Sequence, residues 1–296
     1  MMKKLHSILN FYHSDLLHKK FLLYAKILRL DKPIGIYLLL WPSLVALSDA
    51  TAGQLPPQIT AIFVTGVVVM RSLGCLINDW ADRKFDKYVS RTQHRPLTQG
   101  LISIKEVASL GIILSLTALS LALCLNKQAL VWSLGAFGLS LIYPFCKRFF
   151  VLPQAILGCA FAWSIPMAFA ALDQAMDLKV LWLYLATVCW VFAYDTQYAL
   201  VDRQDDLKLD LHSSAIFFGR LATTAICTLQ AIFLGLLIYL GILTNKNWGY
   251  YWLLLGISGL FYYQWLLVKK GDSGSFKAFL NNHWVGALWF IATLAP

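Results

Sequence analysis

A chain of 296 residues that is 59% hydrophobic, only 14% charged and +0.64 in mean hydropathy carries more apolar surface than a water-soluble core of that length can hide. This excludes a soluble globular protein and predicts a polytopic membrane protein. The net charge of +10 does not point to nucleic acid, because the basic residues sit in short loops between apolar segments, where topology and anionic lipid account for them.

The stretch from Met1 to Arg29 mixes Lys3, Lys4, Lys19 and Lys20 with Leu, Phe and Tyr and has no small-residue cleavage site. Residues 1–30 therefore read as an interfacial amphipathic segment, and 31–296 as a single transmembrane domain without a Ser/Gly-rich linker. Apolar segments long enough to cross a bilayer, about 17–25 residues each, fall near 33–51, 59–78, 104–125, 128–146, 154–172, 179–200, 221–243, 248–268 and 278–294. The expected fold is all-α, with nine transmembrane helices. Basic residues test that count, because cytoplasmic loops hold the excess of Lys and Arg. Of 25, 21 fall in the N-terminal segment and the even-numbered loops; Lys127, Lys179 and Lys246 lie on the other side and Arg71 inside the second segment. The split places the N-terminus in the cytoplasm. Turns at Asp31-Lys32-Pro33, Trp41-Pro42 and Trp163-Ser164-Ile165-Pro166 mark helix starts or kinks. The six cysteines form no C-x-x-C and fall mostly within spans, as small core residues do.

Two aspartate clusters end the second and sixth segments: Asn78-Asp79-Trp80-Ala81-Asp82-Arg83-Lys84-Phe85-Asp86 and Asp202-Arg203-Gln204-Asp205-Asp206. They stand about 120 residues apart, the spacing of a duplicated four-helix unit. Eight of the 15 acidic residues lie in 79–86 and 195–210, and the only Glu in the chain is Glu106, so these are not generic solvated loops. Within each cluster carboxylates recur four apart and share a helix face, where two charges about 4 Å apart at an effective dielectric near 20 repel by about 4 kcal/mol. Something positive must relieve this. Oxygen-rich sites select hard divalent ions, and Mg²⁺ takes one or two carboxylates and shares its other positions with water and phosphate oxygens. The clusters thus predict a cytoplasmic-side site for Mg²⁺ and a diphosphate, with Asn78 supplying a neutral oxygen.

Arg71 lies two turns before Asn78 on the same face, and a charge at that depth usually faces a bundle interior. It reads either as a partner for a buried acid such as Asp195, which stands seven residues before Asp202, or as a receptor for an anionic substrate. Tyr143-Pro144-Phe145-Cys146-Lys147-Arg148 closes the fourth segment; positive-inside flanking accounts for its two charges, and so does a diphosphate clamp. The loop Arg91-Thr92-Gln93-His94-Arg95-Pro96-Leu97-Thr98-Gln99-Gly100 is placed to cover the site as a lid. The rival of a different class, an ion-coupled transporter, expects its acids near mid-span and at broken helices rather than at helix ends beside Lys and Arg.

Taken together, N-D-x-x-D-x-x-x-D, the later D-x-x-x-D, the intervening Y-x-x-x-K and the H-R-P-L-x-x-G loop resemble the UbiA superfamily of intramembrane aromatic prenyltransferases. Asp31-Lys32-Pro33-Ile34-Gly35, Met70-Arg71-Ser72-Leu73-Gly74-Cys75, Trp163 to Ala171, Tyr194 to Arg203 and Lys277-Ala278-Phe279-Leu280-Asn281-Asn282 are similar to its bacterial branch acting on 4-hydroxybenzoate in ubiquinone biosynthesis. The likeness runs from about residue 31 to residue 290. It implies nine helices around a central cavity in the bacterial inner membrane, and Mg²⁺-dependent transfer of a polyprenyl chain to the ring carbon ortho to the hydroxyl. The partners it implies are polyprenyl diphosphate, 4-hydroxybenzoate and the bilayer, with no obligate protein partner. Asn78, Asp82 and Asp86 match the first metal motif and Asp202 and Asp206 the second. Tyr143 and Lys147 match the diphosphate contact, and Arg83 and Arg148 match basic positions near the active site. Arg95 and Tyr198 lie inside matching stretches and are expected at the substrate; Arg71 is a candidate for its carboxylate and Asp195 for its phenol or proton. Homogentisate, dihydroxynaphthoate or haem as acceptor would share the metal motifs. One stretch departs: where the family reads G-x-K-S-T-A this chain has Asp210-Leu211-His212-Ser213-Ser214-Ala215, which leaves Lys208 as the nearest substitute for the lysine.

Overall fold

The computed structural model describes residues 19–89 and 91–295. Among them there is helix and no strand, and each of the nine apolar segments folds as helix. The first is α1, Ile34–Ala50; the second is α2, Pro57–Asp82. Then come α3, Ile104–Leu123, and α4, Lys127–Cys146. The lone glutamate is explained by α3, where Glu106 and Ser103 cap each other's backbone N–H groups. The fifth segment is two helices, α5 (Pro153–Ala162) and α6 (Ser164–Ala171), which break at Trp163. Pro166 has no N–H to give the Ala162 carbonyl, so the ladder is interrupted there. α7 spans Leu178–Lys208, α8 is the short Ser214–Phe218, and α9 (Ala222–Leu243), α10 (Trp248–Val268) and α11 (Asp272–Leu294) complete the bundle.

Seven of the described helical rods are long and apolar enough to cross a membrane. The first and ninth segments are not among them. α1 has 17 residues, and α11 has 23 but carries Lys277, Asn281, Asn282 and His283. This is a multi-pass membrane protein.

The apolar core surrounds α7, which packs on α5, α9 and α11, with Trp190, Tyr194, Phe233 and Trp289 buried at its centre. An amide network crosses it. Gln264 accepts from both Gln197 and Gln230 and donates to Asn281, while Asn282 donates to Gln197 and accepts from Trp190. The other half of the bundle, α1 to α6 with one face of α7 and the start of α11, encloses a cavity of about 1240 Å³. The cavity wall therefore includes α1 and the start of α11 as well as the second to sixth segments. Residues 1–18 of the amphipathic segment lie outside the described residues. Residues 19–27 are helical, and Ile27 is buried among Leu76, Leu97, Ile102 and Val107, so this end of the segment docks onto α2, α3 and the loop between them.

Candidate active site

α2 and α7 carry their aspartates to one end of the cavity. Asn78, Asp79, Asp82, Asp86, Asp202 and Asp206 all line it, together with Arg71, Arg95, Tyr143, Lys147, Asp195 and Tyr198. The two clusters, 111 residues apart between Arg91 and Asp202, are joined directly. Arg91, just past the first, forks onto the second, with Nε 2.9 Å from Asp202 Oδ1 and Nη2 on Oδ2. The same guanidinium lies 4.8 Å from the centre of the Tyr198 ring.

Burial makes the charges expensive unless they are paired. Asp79, Asp82 and Asp86 are 2%, 1% and 4% exposed. Lys147 donates to Asp82 Oδ2. Arg95 Nη1 stands 3.0 Å from Asp79 and 2.8 Å from Asp86, and Arg29 adds a second contact to Asp79 at 3.1 Å. Burial raises the Asp86 carboxyl above the ordinary range, and Arg95 pulls it partly back. For Arg95 burial works against the charge, but Asp79 and Asp86 outweigh it and leave its pKa raised.

Among the described residues no three acidic or imidazole side chains converge on one metal-sized point; Asp82, Asp86 and Asp202 are each held by an internal cation. The donor set nevertheless fits a hard divalent ion. It is entirely oxygen, it shares one cavity end, and Asp82 Oδ1 is buried without a hydrogen-bond partner.

Deeper in the cavity the Arg71 Nε is buried and has no hydrogen-bond partner among the described residues. Asp195 and Tyr143 interact with it through space, but the direct Arg71–Asp195 ion pair is not formed.

Three expected residues do not line the cavity wall. Arg83 turns back to the Trp80 carbonyl at 2.7 Å and stacks on the Trp80 ring, off the cavity wall. Arg148 stands behind the wall, where it donates to the Ala81 carbonyl at 2.6 Å and approaches Asp82 at 3.7 Å, so it braces the end of α2. Lys208 pairs with Asp205 at 3.3 Å, is largely exposed and stands off the cavity wall. His212 lines the cavity instead, and its N–H holds the Lys147 carbonyl at 2.9 Å. Asp210, at the family's glycine position, takes φ +53°, a left-handed conformation that Asp tolerates better than most residues. Sequence reasoning missed Arg29 and the pairing of Arg91. The signal for Arg91 was its four-residue spacing to Arg95, which mirrors the spacing of the acids.

A membrane-embedded helical bundle that closes an apolar cavity with a carboxylate and guanidinium end defines a class of intramembrane site for a charged head on an apolar tail. The model of the UbiA prenyltransferase family matches residues 39–291, and the chain belongs to that family. It is 47% identical over 278 residues to 4-hydroxybenzoate octaprenyltransferases of Salmonella paratyphi B and Salmonella newport, covering 94% of this chain and 96% of each relative. Among solved structures it is similar to a UbiA homolog from Aeropyrum pernix K1, with a TM-score of 0.76 and 24% identity over 87% of this chain and 96% of that one. A UbiA homolog from Archaeoglobus fulgidus bound to GPP and Mg²⁺ matches with a TM-score of 0.70 and 20% identity over 92% and 98%. Membership in this family leaves the transporter reading without support.

Proposed function

We propose that this protein transfers a polyprenyl chain from polyprenyl diphosphate to the ring carbon ortho to the hydroxyl of 4-hydroxybenzoate, giving 3-polyprenyl-4-hydroxybenzoate for ubiquinone biosynthesis. The identity to the 4-hydroxybenzoate octaprenyltransferases supports the substrate pair. The observation that carries the chemistry is the convergence of both aspartate clusters, with Lys147, Arg91 and Arg95, on one end of an apolar cavity.

Asn78, Asp82, Asp86, Asp202 and Asp206 would hold Mg²⁺, which when bound neutralises charge on the departing diphosphate. Lys147 and Arg91 leave their carboxylates to meet phosphate oxygens, Lys147 as a mobile point charge and Arg91 as a fork. The allylic C–O bond breaks with its electron pair going to the diphosphate, and the ring carbon then bonds to the allylic carbon. Apolar cavity walls keep water from the cation, and aromatic faces such as Phe161 and Tyr143 stabilise it. Arg71 receives the carboxylate of the acceptor, and Asp195 orients the phenol or takes the ring proton. The tail lies along the helices and passes into lipid, since each methylene left in water costs about 0.8 kcal/mol. All nine apolar segments cross a bacterial inner membrane, with this end of the cavity facing the cytoplasm.

The test is incubation of the purified protein with 4-hydroxybenzoate and a polyprenyl diphosphate, with Mg²⁺ or with chelator, beside Asp82→Asn and Asp202→Asn variants. Turnover is expected only for the parent with metal. Undiminished turnover by both variants, or in chelator, rejects the mechanism.

A further inference from the structure

The segment Asp31-Lys32-Pro33-Ile34-Gly35 has no part in the chemistry above, yet it touches the site at one atom's width. Pro33 starts α1, and Gly35, one residue into the helix, is buried against the Arg71 side chain. A Cβ built on Gly35 would stand 2.3 Å from Arg71 Nε, 2.5 Å from Nη2 and 2.7 Å from Cζ. The guanidinium therefore occupies the space that a side chain at residue 35 would fill. Arg71 also lies over the Phe161 ring of α5, with Cζ 5.9 Å from the ring centre. These two surfaces set the direction of a buried cation that lines the cavity and whose Nε has no hydrogen-bond partner among the described residues.

We infer that Gly35 is a positioning residue for acceptor recognition: the absence of its side chain, with the Phe161 face, forms a slot that fixes the Arg71 guanidinium to receive the carboxylate of a planar aromatic acid. This rests on the reading of Arg71 as carboxylate receptor and adds what holds it there. A substituent at residue 35 meets the far end of a flexible side chain rather than backbone, so Gly35→Ala displaces the guanidinium without dismantling α1. Charge-assisted recognition by a planar fork depends on direction, and a misdirected guanidinium loses acceptor selectivity before it loses donor binding.

The experiment compares kcat/KM for 4-hydroxybenzoate with that for its uncharged methyl ester, alongside KM for the polyprenyl diphosphate, in the parent, Gly35→Ala, Phe161→Leu and Arg71→Ala. The parent prefers the acid. Gly35→Ala is expected to reduce that preference by about tenfold or more, equivalent to about 1.4 kcal/mol, toward the Arg71→Ala value, with donor KM unchanged. Phe161→Leu, which adds no atoms to the slot, is expected to fall between, and it decides the matter if Gly35→Ala does not fold. If Arg71→Ala retains the preference for the acid, the carboxylate reading itself is wrong. If Arg71→Ala abolishes it while Gly35→Ala, or Phe161→Leu in its place, keeps the parental ratio, the receptor stands and the positioning role is overturned.

Discussion

Asp82 shows how the site handles charge one residue at a time. It is 1% exposed, one oxygen is taken by Lys147, and the other has no hydrogen-bond partner. Lys147→Met keeps the stem and removes the charge. Arg148 remains 3.7 Å from Asp82, so the buried acid keeps a cation and the variant should fold. A transition-state charge contact of this kind is worth about 10²- to 10³-fold, and kcat should fall by that factor while KM for 4-hydroxybenzoate stays within a few-fold. Steady-state kinetics decide it: a kcat close to parental removes Lys147 from the machinery. The aspartates themselves were legible in the sequence, because carboxylates four apart at the end of an apolar segment have no bland explanation. Their partners were not. Arg29 and Asp79 are 50 residues apart, and Arg29 sat in a segment whose lysines already had an account as lipid-facing charge.

Helices were legible by their apolar cores, but their ends were not. Hydropathy places the ends of the second and sixth segments near 78 and 200, whereas α2 continues to Asp82 and α7 to Lys208. At 1.5 Å per residue the 31 residues of α7 span about 46 Å, well beyond a hydrocarbon layer of about 30 Å. Apolarity marks where the chain leaves lipid; the helix stops only where its ladder fails, and the overhang is what carries the aspartates. The amide network joining α7, α9, α10 and α11 was invisible for the opposite reason, since scattered glutamines in apolar segments have no periodic signature. Gln264 is its hub, 0% exposed, accepting from two amides and donating to a third. Gln264→Leu strands Gln197 Nε2 and Gln230 Nε2 at about 1–3 kcal/mol per unpaired group, so a loss of about 2–6 kcal/mol is expected. This exceeds the roughly 0.6 kcal/mol average for a single interhelical hydrogen bond in a membrane protein. Thermal unfolding in one detergent measures it, and a melting temperature equal to the parent's refutes the hub.

Across the whole molecule charge is sorted by end. The aspartate end gathers Arg29, Arg91, Arg95 and Lys147 around its acids, and the basic loops lie there too. Of the three lysines at the other end, two are consumed in the fold. Lys179 pairs with Asp49 at 2.9 Å, joining α7 to α1, and Lys246 donates to the Thr293 and Ala295 carbonyls, capping α11 where its last C=O groups lack partners. These lysines do not offset the asymmetry, because they serve local needs. Lys and Arg excess retained on one side fixes orientation, so the aspartate end should face the cytoplasm. In a cysteine-free background, Lys208→Cys and Lys127→Cys place one exposed thiol at each end. An impermeant thiol reagent applied to intact spheroplasts should label Lys127→Cys at once and Lys208→Cys only after permeabilisation. The reverse order would place the diphosphate end outside the cell, where no cytoplasmic polyprenyl diphosphate reaches it, and the proposed reaction would lose its donor.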